Sequence, residues 1–414
     1  MTWQTQTLGE ICDEGGGEVR TGPFGSQLHE SDYSELGTPV VMPKDIIEGR
    51  VSERTVARIA DEHVDRLAQH QLRTGDIVYG RRGDIGRQAL ITPRESGWLC
   101  GTGCLRITPG RAKVDSTYLH YYLRDAGVIE GIAQQAIGAT MPNLNTAILR
   151  GIQVRFPPAR EQRRIASILS GYDDLIENNT RRNAILEEMA RRIYEEWFVR
   201  FRFPGHEGLR MVETELGLMP EGWNVMALQD IATITMGLSP KGDTYNEASD
   251  GTPLINGPVE FGERFTKRVK WTTAPTKLCG EGDLVVCVRG STTGKYVKSD
   301  GVYCLGRGVC AIRGEYQGFV DQVFAQQLPI LLGQVGGSTF PSWTGPQLKL
   351  HPVLVPTRDL LARFETHAAP MRDAVRAYSR QIDNLRATRD LLLPKLISGE
   401  LDVSAIPESE ALAA

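Results

Sequence analysis

The sequence predicts an α+β protein in which two homologous, strand-rich domains are separated by two long antiparallel coiled-coil helices. Three observations lead to this fold. Landmark segments recur in the same order about half a chain apart, and short β-branched runs alternate with glycine, aspartate and proline. Two stretches of about 40 residues carry apolar residues three or four positions apart. Each repeat is a whole domain plus a helix, so we expect a pseudo-two-fold internal repeat rather than a solenoid.

Four landmarks define the repeat. Trp3 with Leu8-Gly9-Glu10-Ile11 returns as Trp223 with a similar tetrapeptide, and an aspartate-containing strand followed by Arg-Gly also occurs twice. The matched segments are 3–11 with 223–231, 75–83 with 282–290, 138–142 with 337–341, and 156–157 with 355–356. The predicted strands are 39–42, 76–79, 89–92, 104–107, 284–287, 301–303 and 309–312, and short helices are predicted at 116–123 and 128–135.

Prolines and shifts in composition give the domain boundaries. Pro157-Pro158 stops the first strand-rich stretch, and paired charges then alternate with apolar residues as far as about Val199. The predicted division is 1–156 for the N-terminal strand-rich domain, 157–202 for a central long helix, 203–222 for a linker, 223–356 for the C-terminal strand-rich domain, 357–400 for a second long helix and 401–414 for a flexible tail.

Both long helices carry an apolar stripe. A single amphipathic helix of this length, roughly 60 Å, cannot bury its own stripe. We therefore expect the two helices to pack antiparallel and to hold the strand-rich domains at opposite ends. The predicted seam residues are Ile165, Tyr172, Leu186, Ile193, Leu361, Met371, Tyr378, Leu385 and Leu392. The spacing also places Leu175 and Met189 on the stripe, and Asn179 at a seam position where a polar residue can fix the register.

Composition narrows the class of protein. The chain is 41% hydrophobic and 24% charged, which is ordinary for a globular protein, and no stretch approaches the ~18–20 apolar residues of a membrane span. No apolar run follows the N-terminus, and seven scattered cysteines fit a reducing compartment, so we expect a cytoplasmic location and no membrane partner. The formal net charge of −4 argues weakly against nucleic acid, although one face can still be basic.

Catalytic and metal-binding motifs are not found in the sequence. Gly290–Lys295 resembles a phosphate loop, but it has three residues instead of four between its glycines, and Tyr296 follows the lysine. The pairs Cys100/Cys104 and Cys304/Cys310 lack the further ligands that a zinc site needs. Neither a methyltransferase signature nor a dinucleotide loop is present, so we predict no catalytic and no metal-ligating residue.

Basic, glycine-bearing turns are the candidate DNA readers. The turn 81–87 lies between two predicted strands, and its counterpart is 289–295. Arginine can donate two hydrogen bonds to guanine or phosphate, and lysine supplies a point charge. A second loop, 20–28, carries neutral hydrogen-bonding side chains and matches 236–241, while isolated lysines complete a plausible phosphate-binding set. The candidate DNA-contacting residues are Arg20, Ser26, Gln27, Lys44, Arg81, Arg82, Arg87, Lys241, Lys267, Lys270, Arg289 and Lys295.

Taken together, these segments resemble the specificity subunits of type I restriction–modification systems. The first landmark, Thr21–Ser26 and Gly75–Gly86 resemble the target recognition domain of that family. Residues 157–176 resemble its central helix, and Leu393–Leu401 resembles its C-terminal ending. The resemblance covers nearly the whole chain. It departs from the family pattern in the second repeat, which lacks a clear Gly-Pro-Phe-Gly-Ser loop.

The resemblance implies a non-catalytic subunit that directs a larger complex. Each target recognition domain would read one half of a bipartite, asymmetric site in double-stranded DNA, and the paired helices would set the gap. Two modification subunits, which bind S-adenosylmethionine and methylate adenine, would dock on the helices and recognition domains. Two restriction subunits, which use ATP and Mg²⁺, would translocate and cleave the DNA. This chain would itself bind none of these cofactors.

Two other functions compete with this interpretation. A stand-alone methyltransferase or nuclease predicts a cofactor loop or a cluster of metal-binding carboxylates, and two repeats leave no room in the chain for a catalytic domain. A protein-binding coiled-coil adaptor without its own DNA readout predicts that the arginine and lysine turns are dispensable. The near-neutral charge keeps the adaptor alternative open.

Overall fold

The computed structural model describes residues 3–136, 143–214, 217–334 and 341–404. It divides into two compact units, Met1–Glu177 with Asp383–Ala414 and Asn178–Ile382. Both divisions fall inside the long helices, so each unit contains one strand-rich domain and a segment of each long helix. The third sequence landmark, 138–142 and 337–341, lies outside the described residues except for Pro341.

The strand-rich domain of the N-terminal unit precedes the first long helix. Its strands are β1 (Gln4–Thr7), β2 (Glu18–Thr21), β3 (Tyr33–Ser34), β4 (Thr38–Val41), β5 (Ile46–Ile47), β6 (Arg50–Val51), β7 (Ala57–Ile59), β8 (Ile77–Gly80), β9 (Gln88–Leu90), β10 (Leu99–Cys100), β11 (Cys104–Thr108) and β12 (Gln153–Phe156). The helices are α1 (Leu8–Glu14), α2 (Ser116–Tyr122), α3 (Ala126–Gln135), α4 (Thr146–Arg150) and the long helix α5 (Ala159–Tyr194).

Two four-stranded sheets organise this domain. One has the order β2-β11-β8-β9 and is antiparallel throughout. The other has the order β10-β4-β7-β3 and contains one parallel pair, β10 with β4. β1 pairs with β12 and so closes the domain next to the start of α5. The core joins the domain to the long helices, because Leu8 and Tyr118 pack in one buried cluster with Ile165 and Leu396.

The strand-rich domain of the C-terminal unit lies between the two long helices in the chain. Its strands are β13 (Met211–Thr214), β14 (Gly217–Pro220), β15 (Asn224–Ala227), β16 (Ala232–Met236), β17 (Tyr245–Asn246), β18 (Thr252–Ile255), β19 (Trp271–Thr272), β20 (Leu278–Cys279), β21 (Leu284–Cys287), β22 (Tyr296–Lys298), β23 (Tyr303–Leu305), β24 (Val309–Gly314) and β25 (Pro352–Val355). The helices are α6 (Leu228–Ile231), α7 (Gln317–Gly333), α8 (Gly345–Lys349) and the long helix α9 (Arg358–Ser398).

The second domain repeats the topology of the first. Its antiparallel sheet has the order β16-β24-β21-β22, its other sheet has the order β17-β19-β18-β23-β20, and β18 and β23 form the matching parallel pair. β15 pairs with β25 as β1 pairs with β12. Close backbone contacts also recur: a side chain at Gly22 would meet the carbonyl of Gly101, and one at Gly237 would meet that of Gly306. The predicted α+β fold with an internal repeat is confirmed.

The long helices pack antiparallel within each unit. In the C-terminal unit, Asn179 Nδ2 donates to Gln381 Oε1 at 3.2 Å, and Asn183 Nδ2 donates to Ser379 Oγ at 3.1 Å. Residue numbers rise along α5 while those of their partners fall along α9, which fixes the direction. α5 continues as a short π-helical turn over Glu195–Val199. Among the described residues, no helix is both long and apolar enough to cross a membrane.

The seam contains more polar side chains than apolar spacing predicts. Leu175 and Met189 were predicted on the stripe, and this was wrong, since they are 53% and 44% exposed. Asn179 is buried on the seam as predicted, and Asp173 and Asn183, which the apolar spacing did not predict there, are buried as well. A stripe predicted from apolar residues alone therefore lies on a different part of the α5 surface from the face that is buried in the structure. Of the predicted seam residues, two are buried (Ile165 and Leu361) and seven are partly buried (Tyr172, Leu186, Ile193, Met371, Tyr378, Leu385 and Leu392).

The segments predicted as linker and tail contain ordered structure. Strands β13 and β14 pair with each other inside the predicted linker 203–222. In the predicted tail, Val403 is buried in the N-terminal core. Arg164 donates hydrogen bonds to the carbonyls of Val403 and Ser404. The chain is therefore anchored as far as Ser404, and residues 405–414 lie outside the described part.

Candidate nucleic-acid interface

A sharp turn joins β8 to β9 and carries three of the predicted DNA-contacting residues. Gly83 and Gly86 have φ angles of +80° and +104°, a region that disfavours side chains. A Cβ atom at Gly86 would also lie 2.9 Å from the Ile129 side chain. The glycines of the Arg81–Arg87 sequence are thus required by the shape of the turn.

The three arginines of this turn have different surroundings. Arg81 is partly buried, and its Nε donates to Asn143 Oδ1 at 3.1 Å and to the Leu144 carbonyl at 2.9 Å. Arg82 is exposed, and its side chain has no partner among the described residues. Arg87 forms an exposed ion pair with Asp84 at 2.8 Å, which contributes little to stability and leaves the arginine accessible. Arg82 is the side chain of this turn that is most available to a ligand.

Neighbouring loops lie beside the turn. The Arg81 guanidinium is 5.8 Å from the centre of the Phe24 ring, which joins the turn to the loop that contains Ser26 and Gln27. Ser26 is exposed, whereas Gln27 is partly buried and accepts a hydrogen bond from the Phe24 amide at 3.1 Å.

Lys44 adds an exposed cation to this group of loops. It lies in the short 3₁₀ segment Pro43–Asp45. Pro43 is 3.4 Å from the position of a Cβ at Gly103, and the Gly103 carbonyl accepts from the Arg81 amide. The structure therefore brings together Ser26, Gln27, Lys44 and the 81–87 turn.

Arg20 lies apart from this group. Its guanidinium donates to Glu18 Oε2 and to Gln69 Oε1, each at 2.9 Å. Both contacts are internal to the domain, and Glu18 also pairs with Arg106. These partners favour a structural role for Arg20 on β2.

The C-terminal domain contains an equivalent turn between β21 and β22. Gly290 and Gly294 have φ angles of +81° and +91°, which match those of the first turn. Arg289 pairs across a single β-bridge with Ser342, as Arg82 pairs with Asn143. Arg289 therefore occupies the place of Arg82, and Lys295 occupies the place of Arg87. Both Arg289 and Lys295 are exposed.

The remaining C-terminal candidates are spread over two segments. Lys241 is exposed and precedes the 3₁₀ turn Gly242–Thr244. Lys267 is exposed and Lys270 is partly buried, and they lie just before β19. The Lys267 amide donates to the Glu260 carbonyl, and the Lys270 carbonyl accepts from Leu254. The contacts of the described residues do not join these two lysines to the Arg289 turn.

Arg307 was missed by the sequence reasoning. It is exposed between Gly306 and Gly308, and its amide donates to Ser239 Oγ at 3.1 Å, next to the loop of Lys241. The Val288 amide donates to the Gly308 carbonyl, so Arg307 also adjoins the Arg289 turn. The available signal was the Gly-Arg-Gly sequence, which matches Gly101-Thr102-Gly103 of the first repeat.

Among the described residues, these loops expose neither a cysteine thiol nor a cluster of metal ligands. All seven cysteines are free and buried, and burial raises the pKa of Cys287 to about 11 and that of Cys310 to about 12. Within the described ranges, no cluster of three His, Cys, Asp or Glu residues could hold a metal ion. The loops therefore present hydrogen-bond donors and positive charge, which are the groups that bind phosphates and base edges.

Comparison with known proteins defines the class. Residues 1–188 match the family described as the type I restriction modification DNA specificity domain. The putative type I restriction enzyme MjaX specificity subunit of Methanocaldococcus jannaschii is 23% identical over 413 residues, covering 97% of this chain and 94% of the relative. The MjaIX specificity subunit of the same organism is 25% identical over 419 residues, covering 98% and 94%.

A solved structure supports the same fold. The type I restriction–modification system S subunit from M. genitalium is similar with a TM-score of 0.62, at 14% sequence identity and over 96% of each chain. Residues 1–188 thus match a DNA specificity domain, and the solved structure supports the fold. Over nearly its whole length the chain is similar to type I restriction–modification specificity subunits.

Proposed function

We propose that each strand-rich domain reads one half of a bipartite, asymmetric site in double-stranded DNA, and that α5 and α9 set the unread gap. The equivalence of Arg82 and Arg289 carries this proposal. Both are exposed arginines at the same point of a repeated turn, each followed by a glycine with positive φ. The two domains share the same strands and the same turn, but the turns differ in sequence. Val288 stands at the position of Arg81, and Lys295 stands at the position of Arg87. Two diverged readers suit two different half-sites.

The exposed side chains divide into two roles. Arg82 and Arg289 are the proposed base readers, because an arginine without an internal partner can offer two donors to guanine. The proposed phosphate contacts and adaptable polar contacts are Ser26, Gln27, Lys44, Arg87, Lys241, Lys267, Lys270, Lys295 and Arg307. Arg20 and Arg81 have internal partners, so we assign them to positioning the loops.

The outer face of α5 is the proposed docking surface for two modification subunits. In the C-terminal unit, Ile185 and Met189 lie one turn apart and are 51% and 44% exposed. Exposed apolar residues flanked by charge are typical of a protein interface. The modification subunits would bring S-adenosylmethionine and methylate adenine, and two restriction subunits would add ATP- and Mg²⁺-dependent cleavage. Domains 1–156 and 223–356 would read DNA. Helices 157–202 and 357–400 would set the gap between the half-sites and bind the modification subunits.

A map of methylated adenine tests this proposal. DNA from cells that express this chain with its neighbouring modification subunit should carry a bipartite motif with a fixed gap. Arg82→Ala should relax one half of the motif, and Arg289→Ala should relax the other, at about 1–3 kcal/mol for each lost base contact. Arg73→Ala is the matched control, because Arg73 is an exposed arginine near the opposite end of β8.

The outcomes separate the competing functions. An unchanged motif in both arginine variants would refute the assignment of the turns as readers. An assembled complex that produces no motif would favour the protein-binding adaptor. Relaxation of both halves by a single variant would contradict the division of reading between the domains.

A further inference from the structure

A buried carboxylate joins the N-terminal domain to both long helices. Asp173 of α5 accepts hydrogen bonds from Tyr121 at 2.8 Å and from Arg124 at 2.6 Å, both of which belong to the α2 region of the domain. Its other oxygen accepts from Arg389 of α9 at 2.5 Å. The Asp173 and Arg389 side chains are 9% and 8% exposed. One side chain of α5 thus contacts two other parts of the unit, the α2 region and α9.

The charge on Asp173 is required by its neighbours. Burial acts to raise the pKa of Asp173, but the charge of Arg124 and the hydrogen bonds from Arg389 and Tyr121 outweigh it and hold that pKa below its ordinary value. Removing the charge would leave two arginines facing each other in a buried site, which is strongly unfavourable. The contacts are therefore strong only in the arrangement that brings all three parts together.

An outer set of ion pairs extends this attachment toward the proposed reading loops. Arg50 on β6 contacts Glu177 and also Asp174, the latter at 2.6 Å. Glu48, in the turn that precedes β6, accepts from Arg386 of α9 at 2.9 Å. The β5–β6 hairpin directly follows the 3₁₀ segment of Lys44. The helix pair is thus connected to a DNA-contacting segment of the domain.

The C-terminal unit has the same fold without this cluster. Asp173 and Arg372 each lie seventeen residues beyond the strand that precedes their helix, and Arg389 and Ala190 each lie thirty-four residues beyond it. Arg372 and Ala190 therefore stand in the C-terminal unit where Asp173 and Arg389 stand in the N-terminal unit. In place of the cluster there is a cavity of about 450 Å³ lined by Ala190, Ala325 and Arg372. Arg372 pairs instead with Glu365. Because the second copy folds around a cavity, the fold itself does not require the buried cluster.

We propose that Asp173 is a positioning residue for DNA recognition, which holds the N-terminal domain in one orientation on α5 and α9 and so makes the complex selective for one gap length. The inference rests on the function proposed above. Asp173 touches no DNA and acts through Arg124, Tyr121 and Arg389. The C-terminal domain is attached to its helices by other contacts, since Arg264 pairs with Glu187 of α5 and the Gly318 amide donates to Glu365 of α9. Among the described residues, a single buried carboxylate that joins the domain to both helices is found in the first repeat, and we attribute the selectivity for the gap to it.

A competition experiment measures this selectivity. The complex with modification subunits methylates a mixture of two duplexes, one with the cognate gap and one with the gap changed by a single base pair. We expect the preference for the cognate gap to fall by about tenfold in Asp173→Asn, since displacements of about 1 Å remote from a reacting group alter rates by up to ~100-fold. The ratio is internal to each sample, so it does not depend on how much of the variant is folded.

Two further variants make the experiment specific. Arg124→Gln removes the ion pair between the domain and α5 but leaves the Tyr121–Asp173 hydrogen bond and the Asp173–Arg389 contact between the helices. It should reduce the gap preference even if Asp173→Asn fails to fold. Asp174→Asn is the control, because Asp174 is the neighbouring residue, its side chain is 70% exposed, and its partner Arg50 retains Glu177. It should behave as the wild type does.

The result that overturns the inference is equally definite. If Asp173→Asn and Arg124→Gln lower total methylation but keep the wild-type ratio, the cluster only stabilises the fold. An equal loss of preference in Asp174→Asn would also contradict a specific role for the buried carboxylate. A wild-type complex that methylates without regard to the gap would overturn the proposed function itself, and the inference with it.

Discussion

Histidine 120 gives a stability prediction whose size follows directly from the structure. The side chain is 4% exposed, and its Nδ1 lies 2.8 Å from Gln88 Oε1. Because an amide oxygen only accepts, Nδ1 carries a proton and donates it to Gln88. Burial, and then the charges of Arg124, Arg50 and Arg389, lower the pKa of His120 to about 3, while Asp173 opposes them.

The sign of the pH dependence follows from this lowered pKa. In the unfolded chain the ordinary histidine pKa is 6.5, so between pH 6.5 and pH 3 the unfolded state binds a proton that the folded state does not. Stability is therefore lost as the pH falls through this window. Each pH unit is worth about 1.36 kcal/mol, so lowering the pH from 6.5 to 5 should remove about 2 kcal/mol from the free energy of unfolding of the N-terminal unit.

Replacement of the ring separates this contribution from the others. His120→Asn can keep a donor to Gln88 but cannot be protonated. It should lower stability at pH 7.5 and flatten the decline between pH 6.5 and pH 5 by about 2 kcal/mol. Burial also lowers the pKa of His70 in the same unit, so the wild-type decline contains its contribution, and the comparison with the variant isolates His120.

Hydrogen exchange of α2 and β9 amides, read across a urea series at each pH, measures the N-terminal unit directly. His29→Asn is the matched control, because His29 is exposed and should leave the decline unchanged. If His120→Asn and the wild type lose stability in parallel between pH 6.5 and pH 5, His120 does not stay neutral in the folded protein. The conclusion that burial and the neighbouring arginines lower the pKa of His120 would then be wrong.

Two further predictions concern the long helices. Leu385→Asp places a charge on the partly buried seam of α9 and should destabilise the helix pair by about 1–3 kcal/mol and reduce co-purification of the modification subunit. The same change at Leu391, which is 69% exposed, is the control, and normal assembly of Leu385→Asp would refute its seam position. Phe364→Ala removes a fully buried ring that packs against Trp197 and Phe198. It should cost about 3–5 kcal/mol in urea unfolding of the C-terminal unit, whereas Phe364→Leu should cost clearly less, and equal losses would contradict this packing.

The fold could be predicted from the sequence because its signals are repeated and local. Two copies of the same landmarks, each with strand runs bounded by turns, leave few other architectures. The predicted strand at 301–303 was displaced to Tyr303–Leu305, since the glycine and valine before it lie in the preceding turn. The turn 81–87 could also be located, because glycines between two strand runs mark a turn.

The electrostatic details could not be predicted in the same way. Nothing local distinguishes Arg81, which is bound to Asn143 and Leu144, from the exposed Arg82 beside it. The two differ because residues 143 and 144, which are distant in the sequence, accept hydrogen bonds from the side chain of Arg81. Asp173 was overlooked for a related reason. A charged residue on a helix is expected to face solvent, and its burial depends on Arg389, which lies 216 residues further along the chain.

The two repeats also indicate why such a costly cluster would be kept. Desolvating charged groups is expensive, and well-packed apolar side chains usually stabilise a protein as well or better. The C-terminal unit shows that the same sheets and helices fold around a cavity with a mixed apolar and charged lining at the equivalent place, without a carboxylate at the position of Asp173. Because the fold can form without such a cluster, we infer that the cluster serves a purpose other than folding. What it supplies is a fixed orientation of the three parts that it joins. Asp173 satisfies its partners in one arrangement only, whereas apolar contacts tolerate small rotations with little loss. The buried charge at Asp173 therefore points to a requirement for orientation in the N-terminal domain, which the ratio of methylation at two gap lengths measures directly.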